Sequence, residues 1–191
     1  MTDDLRAQLG RWYGSPGRHY HTLDHVDEVL ERFETCRHQL RQAMEVYVAV
    51  LFHDAVYEVG RPDNEARSAE LARSEAHRWF DVDLDRVAEL ILLTAAHGRH
   101  EGADPDAALF LDCDMAILGS ESDHYGRYAE GVRREWETLI PPQDYIRGRA
   151  AFLRSILKTD RIYLSEFWGS RLEASARANI AAELQRLDAK D

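Results

Sequence analysis

Long apolar runs are missing from this sequence of 191 residues: the longest, Val46 to Phe52, has seven residues, against the roughly 18 needed to cross a bilayer. The opening residues Met1-Thr-Asp-Asp-Leu-Arg have neither the basic nor the apolar stretch of a secretory leader, so a cytoplasmic protein without a membrane partner is expected. Cysteine is scarce as well. Cys36 and Cys113 share no short spacing and sit in apolar-periodic segments, which points to reduced, buried thiols rather than a disulfide frame or zinc knot. Basic residues are in deficit, 24 Lys and Arg against 35 Asp and Glu for a net charge of -11. Such a surface repels polyphosphate and anionic lipid, so no long nucleic acid is expected as a partner. A small phosphorylated molecule is not excluded, because a divalent ion or a few basic groups can invert the potential inside one pocket.

Also absent are a glycine-rich nucleotide loop, a low-complexity tract, and any strand-length alternation of polar and apolar residues. What remains is helical periodicity throughout, so the chain is expected to be all-α, and at 45% apolar and 31% charged residues 1–191 are expected to form one helical-bundle domain. The spacing predicts helices over about 3–13, from a Thr22 cap to about Leu40, 42–57, from Asp63 or Asn64 to about Phe80, 83–97 and 106–118. Further helices are predicted from Ser120 to about Leu139, over 144–158 and over 170–188. Gly14-Ser-Pro-Gly17 and Gly60-Arg-Pro-Asp63 are the expected breaks, Gly119 suits a left-handed cap, and Ser170-Arg-Leu-Glu173 has the form of a capping box. The segment Val46 to Phe52 is apolar nearly all round, which predicts a central, buried helix.

The informative polar residues lie on three of these helices: His25, the pair His53-Asp54, and an aspartate, Asp112 or Asp114, within Leu111-Asp-Cys-Asp-Met-Ala116. Imidazole nitrogen and carboxylate oxygen together suit first-row divalent metals, and the helices of a bundle can aim such groups at one point. His53 and Asp54 follow the most buried segment, where an uncompensated charge is costly and a metal would relieve the cost. Neighbours on a helix diverge by ~100°, so the pair is expected to reach one ion only from the helix's edge. Other metal chemistries lack their residues. His21-Thr-Leu-Asp-His25 has no glutamate of the H-E-x-x-H type, and Glu121-Ser-Asp-His124 is a single Glu-x-x-His where a di-iron bundle needs a pair.

With these residues the sequence resembles the HD-domain metal-dependent phosphohydrolases, all-helical proteins with an H…HD…D signature, and in particular small bacterial members. The resemblance rests on Arg18-His-Tyr-His-Thr-Leu-Asp-His25, Ala49-Val-Leu-Phe-His-Asp-Ala-Val-Tyr57, Asp63-Asn-Glu-Ala-Arg-Ser-Ala69, Thr94-Ala-Ala-His97, Phe110-Leu-Asp-Cys-Asp-Met-Ala-Ile-Leu-Gly119 and Tyr145-Ile-Arg-Gly-Arg149, and it extends over about residues 11–163. It implies an HD-type helical domain with His25, His53, Asp54 and Asp114 as metal ligands, and Asp112 as an alternative or supporting carboxylate. It implies one divalent ion (Mn, Fe, Co, Ni, Mg or Zn) and hydrolysis of a phosphoester or phosphoanhydride in a small phosphorylated substrate, a nucleotide being one such molecule. Glu65 is the candidate to orient or deprotonate water, and His21 and His97 are candidates for phosphate contact or proton donation. Arg18 and Arg149 are candidate phosphate anchors. Lys158 joins them as part of a basic stripe with Arg147, Arg154 and Arg161, spaced i, i+7, i+11 and i+14. The rival expectation is a non-catalytic HD domain that binds metal or nucleotide as a sensor, and a homodimer is compatible with either.

Overall fold

A computed structural model describes residues 1–96 and 104–189. Among the described residues there are nine α-helices and no strand: α1 (Asp3–Tyr13), α2 (Leu23–Cys36), α3 (Ala43–Phe52), α4 (Asn64–Glu75), α5 (Leu84–Leu93), α6 (Pro105–Met115), α7 (Ser122–Trp136), α8 (Pro142–Leu157) and α9 (Glu166–Asp188). Side chains that accept from exposed amides set several starts: Thr2 for α1, Asp83 for α5, Asp104 for α6 and Ser165 for α9. No helix among the described residues is long and apolar enough to cross a membrane.

The core forms around α3. Val46, Val48, Ala49, Val50, Leu51 and Phe52 are all at most 1% exposed, so the second half of this helix is enclosed, by packing with α2, α4, α5 and α6, while Met44 in its first turn stays exposed. Helices α8 and α9 pack on each other, and α9 also packs on α6 and on the short 3-10 turn Ala116–Gly119 that follows it. Cys36 and Cys113 are free and buried, as expected, but their sulfurs lie 3.5 Å apart, a proximity invisible at a separation of 77 residues.

Several predicted boundaries move. Helix α2 gives way to the 3-10 turn Arg37–Gln39, α4 to Ala76–Arg78, and α5 to Thr94–Ala96. The stripe of Arg147, Arg154, Lys158 and Arg161 is cut short, because α8 ends at Leu157. The capping box at Ser170 does not form. Ser170 lies inside α9, Ser165 caps that helix by accepting from Trp168 N, and Glu173 instead accepts from the amides of Ile162 and Tyr163. Among the described residues the left-handed glycines are Gly17 (φ 89°) and Gly60 (φ 79°), in the two expected breaks, and not Gly119.

Gly119 serves close packing instead. A Cβ there would sit 2.7 Å from Leu172 Cβ and 2.9 Å from the Leu172 carbonyl oxygen, so α9 crosses this turn nearer than any larger residue allows. Gly119→Ala is therefore expected to destabilise the fold by about 1–3 kcal/mol, the usual cost of overpacking, seen as a lower urea midpoint with an unchanged slope.

Candidate metal centre

His25 stands in the first turn of α2, His53 and Asp54 directly after α3, and Asp114 in the last turn of α6. Their donor atoms converge. His25 Nε2 lies 3.1 Å from His53 Nε2 and 3.1 Å from Asp114 Oδ1, and His53 Nε2 lies 3.2 Å from Asp54 Oδ2 and 3.5 Å from Asp114 Oδ1. Donor atoms of His25, His53 and Asp54 all fall within 4.8 Å of one another, so this group could hold a metal ion.

The adjacent pair reaches one point from the end of its helix. Helix α3 does not run on to about Tyr57; it stops at Phe52, and residues 53–54 form a turn in which His53 keeps helical dihedrals (φ -56°, ψ -38°). With no further helical turn beyond them, both side chains face the same space, His53 Nε2 lying 3.2 Å from Asp54 Oδ2. Arg18 and Tyr13 hold that turn. The Arg18 guanidinium donates to the carbonyls of Asp54 (2.7 Å), His21 (2.9 Å) and Ala55 (3.2 Å), while the Tyr13 hydroxyl donates to Leu51 O (3.1 Å) and accepts from Asp54 N (3.3 Å). His53 Nδ1 donates to Val50 O at 2.9 Å, which turns Nε2 toward the cluster. Burial opposes the charge on Asp54, but the facing His53, with His21 and His25, outweighs it and holds the carboxyl well below the usual carboxylate range.

Beside the cluster is a cavity of about 240 Å³ whose lining includes His21, His25, Asp54, Glu65, Asp114 and Arg149. Glu65 enters it from the first turn of α4. His21 stacks on Tyr57, with ring centroids 4.1 Å apart, and pairs through Nδ1 with Glu135 Oε2 at 2.7 Å. Burial alone would lower the His21 pKa, but that hydrogen bond and the charges of Asp54, Glu135 and Asp114 raise it.

Glu135 is the residue sequence reasoning missed. Its Oε1 accepts from the amides of His19 (2.8 Å), Tyr20 (2.8 Å) and His21 (3.0 Å), and its Oε2 from His21 Nδ1 and the Tyr57 hydroxyl (3.1 Å). Helix α7 can come this close because residue 131 is glycine: a Cβ there would sit 3.0 Å from His19 O. The signal was present in the spacing, since Glu135 lies seven residues after Tyr128 on the buried stripe of α7. Glu183 was missed likewise, seven residues after Ala176 on the buried side of α9.

Other expected site residues are placed elsewhere. Asp112 points to the far side of α6, where it accepts from Leu164 N, Ser165 N and the Ser165 hydroxyl at the start of α9; burial nonetheless pushes its carboxyl up to about 6. Two positions along a helix turn a side chain by ~200°, so Asp112 does not join Asp114 at the cluster. Arg18 donates through Nη1 and Nη2 to three backbone carbonyls, its buried Nε has no partner, and it does not line the cavity. Lys158 is exposed at the end of α8 and away from the cavity. Arg149 does line the cavity, but its charge is compensated by Glu183, at 2.9 Å from Nε and 3.2 Å from Nη2. His97 lies outside the described residues. Comparison of the chain with protein-family models, curated proteins and solved structures finds no match.

Glu135 supplies a test of this architecture. Burial opposes its charge, but the His21 hydrogen bond and charge and the backbone amides outweigh it and lower its pKa from 4.5 to about 2. The unfolded chain takes up this proton near 4.5 and the folded chain only near 2, so the stability it contributes is full above the first value and is lost as pH falls toward the second. Glu135→Gln is expected to cost about 2–4 kcal/mol at pH 7, as for breaking a buried charged network, and to flatten the loss of stability between pH 4.5 and 2. Urea titrations of both proteins at pH 7 and pH 3 measure each effect.

Proposed function

We propose that the chain is an HD-domain phosphohydrolase, a metal-dependent enzyme that cleaves a phosphoester or phosphoanhydride bond in a small phosphorylated molecule. The observation that carries this reading is the convergence of two imidazole nitrogens, 3.1 Å apart, with carboxylate oxygens of Asp54 and Asp114 at the wall of a cavity. The donor set fits a cation. Two facing ring nitrogens can share only one proton between them, and both rings are buried, whereas a divalent ion takes both lone pairs and both carboxylate charges.

His25, His53, Asp54 and Asp114 would hold the ion, and mixed nitrogen and oxygen donors suit Mn, Fe, Co, Ni, Zn and, less well, Mg. Bound there, such an ion supplies Lewis acidity that eases deprotonation of water and neutralises charge at phosphorus. The chain's own groups handle the protons. A water oxygen forms a bond to phosphorus as the bond from phosphorus to the leaving oxygen breaks. Glu65 takes the proton of the water, and His21, whose Nδ1 is held by Glu135, gives one from Nε2 to the departing oxygen. The products are phosphate and an alcohol, or two phosphates. Stacking on Tyr57 and pairing with Glu135 fix the His21 ring in one orientation, which a proton donor requires.

Elemental analysis after manganese loading and dialysis is expected to find about one ion per chain, and Asp54→Ala to weaken retention by more than about tenfold, at least as much as losing a supporting contact. The loaded chain is expected to hydrolyse 4-nitrophenyl phosphate, with kcat reduced roughly 10²–10⁴-fold in Glu65→Gln. A natural chain that retains no metal overturns the reading; a Glu65→Gln variant with full turnover removes that residue from the mechanism.

A further inference from the structure

A second cavity, of about 330 Å³, opens between α7 and α8, where Val132 and Trp136 face Tyr145, Gly148 and Phe152. It adjoins the cavity beside the His25, His53 and Asp54 cluster: Val132, Arg149 and Phe152 line both. Three of its walls are aromatic. Phe152 is 41% exposed although large and apolar, and its ring lies 5.6 Å from the Arg149 guanidinium carbon, which is 5.0 Å from the Tyr128 ring on another side. Among the described residues its lining contains no carboxylate, and its one cation, Arg149, is compensated by Glu183. Burial pushes the Tyr145 phenol up to about 12, so it stays neutral. A space of this kind favours an uncharged ring and offers little to sugar hydroxyls or to a second phosphate.

We infer that this cavity is the subsite for the leaving group, and that the substrate is a phosphate ester whose other part is a flat, apolar ring. The inference rests on the phosphohydrolase reading, because the ring is located by a phosphate held at the metal centre. Arg149 stands at the junction. Its Nη1 donates to the Tyr128 hydroxyl at 3.1 Å, and Glu183 holds its other nitrogens, so the guanidinium is held in place where the two cavities adjoin.

Gly148 gives the means of closing the subsite. It lines the second cavity and not the first, and a Cβ built on it meets no atom within 4 Å. A leucine there enters the cavity without displacing the backbone, and in mid-helix it replaces a poor helix former with a good one.

The test is calorimetric titration of the manganese-loaded full chain with phenylphosphonate and methylphosphonate, whose carbon–phosphorus bonds do not hydrolyse. Phenylphosphonate is expected to bind at least about tenfold more tightly, the worth of burying most of one ring, and the ratio is expected to fall toward one in Gly148→Leu and in Phe152→Ala. Equal affinities in the natural chain, both lost in Asp54→Ala, overturn the subsite and leave the phosphohydrolase reading intact. A preference that survives both cavity variants overturns it too, as does phenylphosphonate binding undiminished in Asp54→Ala, where the ring would bind without the metal centre. Binding of neither phosphonate overturns the phosphohydrolase reading and the subsite with it. Sedimentation of the same proteins covers the other occupant: a natural dimer that Gly148→Leu renders monomeric assigns this face to a second copy of the chain and overturns the inference.

Discussion

Arg18 donates to the carbonyls of His21, Asp54 and Ala55 from a position only 9% exposed, and these three bonds hold the turn that carries His53 and Asp54. A helix that stops leaves its last carbonyls without partners, and α3 stops where water has little access. An unsatisfied buried carbonyl costs about 1–3 kcal/mol, and here Val50 O accepts from His53 Nδ1, Leu51 O from the Tyr13 hydroxyl and Phe52 O from Ala55 N. Arg18 takes up the next carbonyls, of Asp54 and Ala55, and its third bond ties the same turn to the segment carrying His21. The adjacent His53 and Asp54 can then face one point, with His25 and Asp114 brought to it by two other helices.

The opposite wall is organised by two buried carboxylates. Glu135 gathers three consecutive amides, the His21 ring and the Tyr57 hydroxyl; Glu183 gathers Arg149 and the Tyr125 hydroxyl. Taking such charges out of water is expensive, and an apolar core of the same volume is often as stable. What the pairs supply here is position. One fixes which His21 nitrogen is committed to a partner, and the other immobilises a guanidinium between two cavities. Both glutamates sit on helix faces that otherwise pack apolar residues, so α7 and α9 are drawn onto the core by hydrophobic contact and aligned by charge.

The all-helical class, the buried α3 and the grouping of His25, His53 and Asp54 with one of Asp112 and Asp114 were legible in the sequence, because periodicity and residue type act locally. Helix ends were less legible, since 3-10 turns after α2, α4, α5 and α6 carry the same apolar spacing as the helices they follow. Partners across the chain were not legible at all. Arg18 and Arg149 looked like anchors for an anion because arginine is the usual residue for that, yet both are engaged by groups 36 and 34 residues away. Gly119 looked like a left-handed cap because that is a common use of glycine, whereas the approach of Leu172 is what excludes a side chain.

The sequence by itself determined that the chain folds as helices around an apolar centre, and which side chains have the donor chemistry of a candidate metal site, since these follow from spacing and chemical identity. Tertiary structure alone decided that Asp114 meets the two histidines while Asp112 turns to α9, that His53 and Asp54 converge, and that Glu135 holds His21. The physical reason is that periodicity shows which face of a helix is buried but not what it is buried against. A ligand set, a compensated charge and a cavity are each made by groups that only packing brings together.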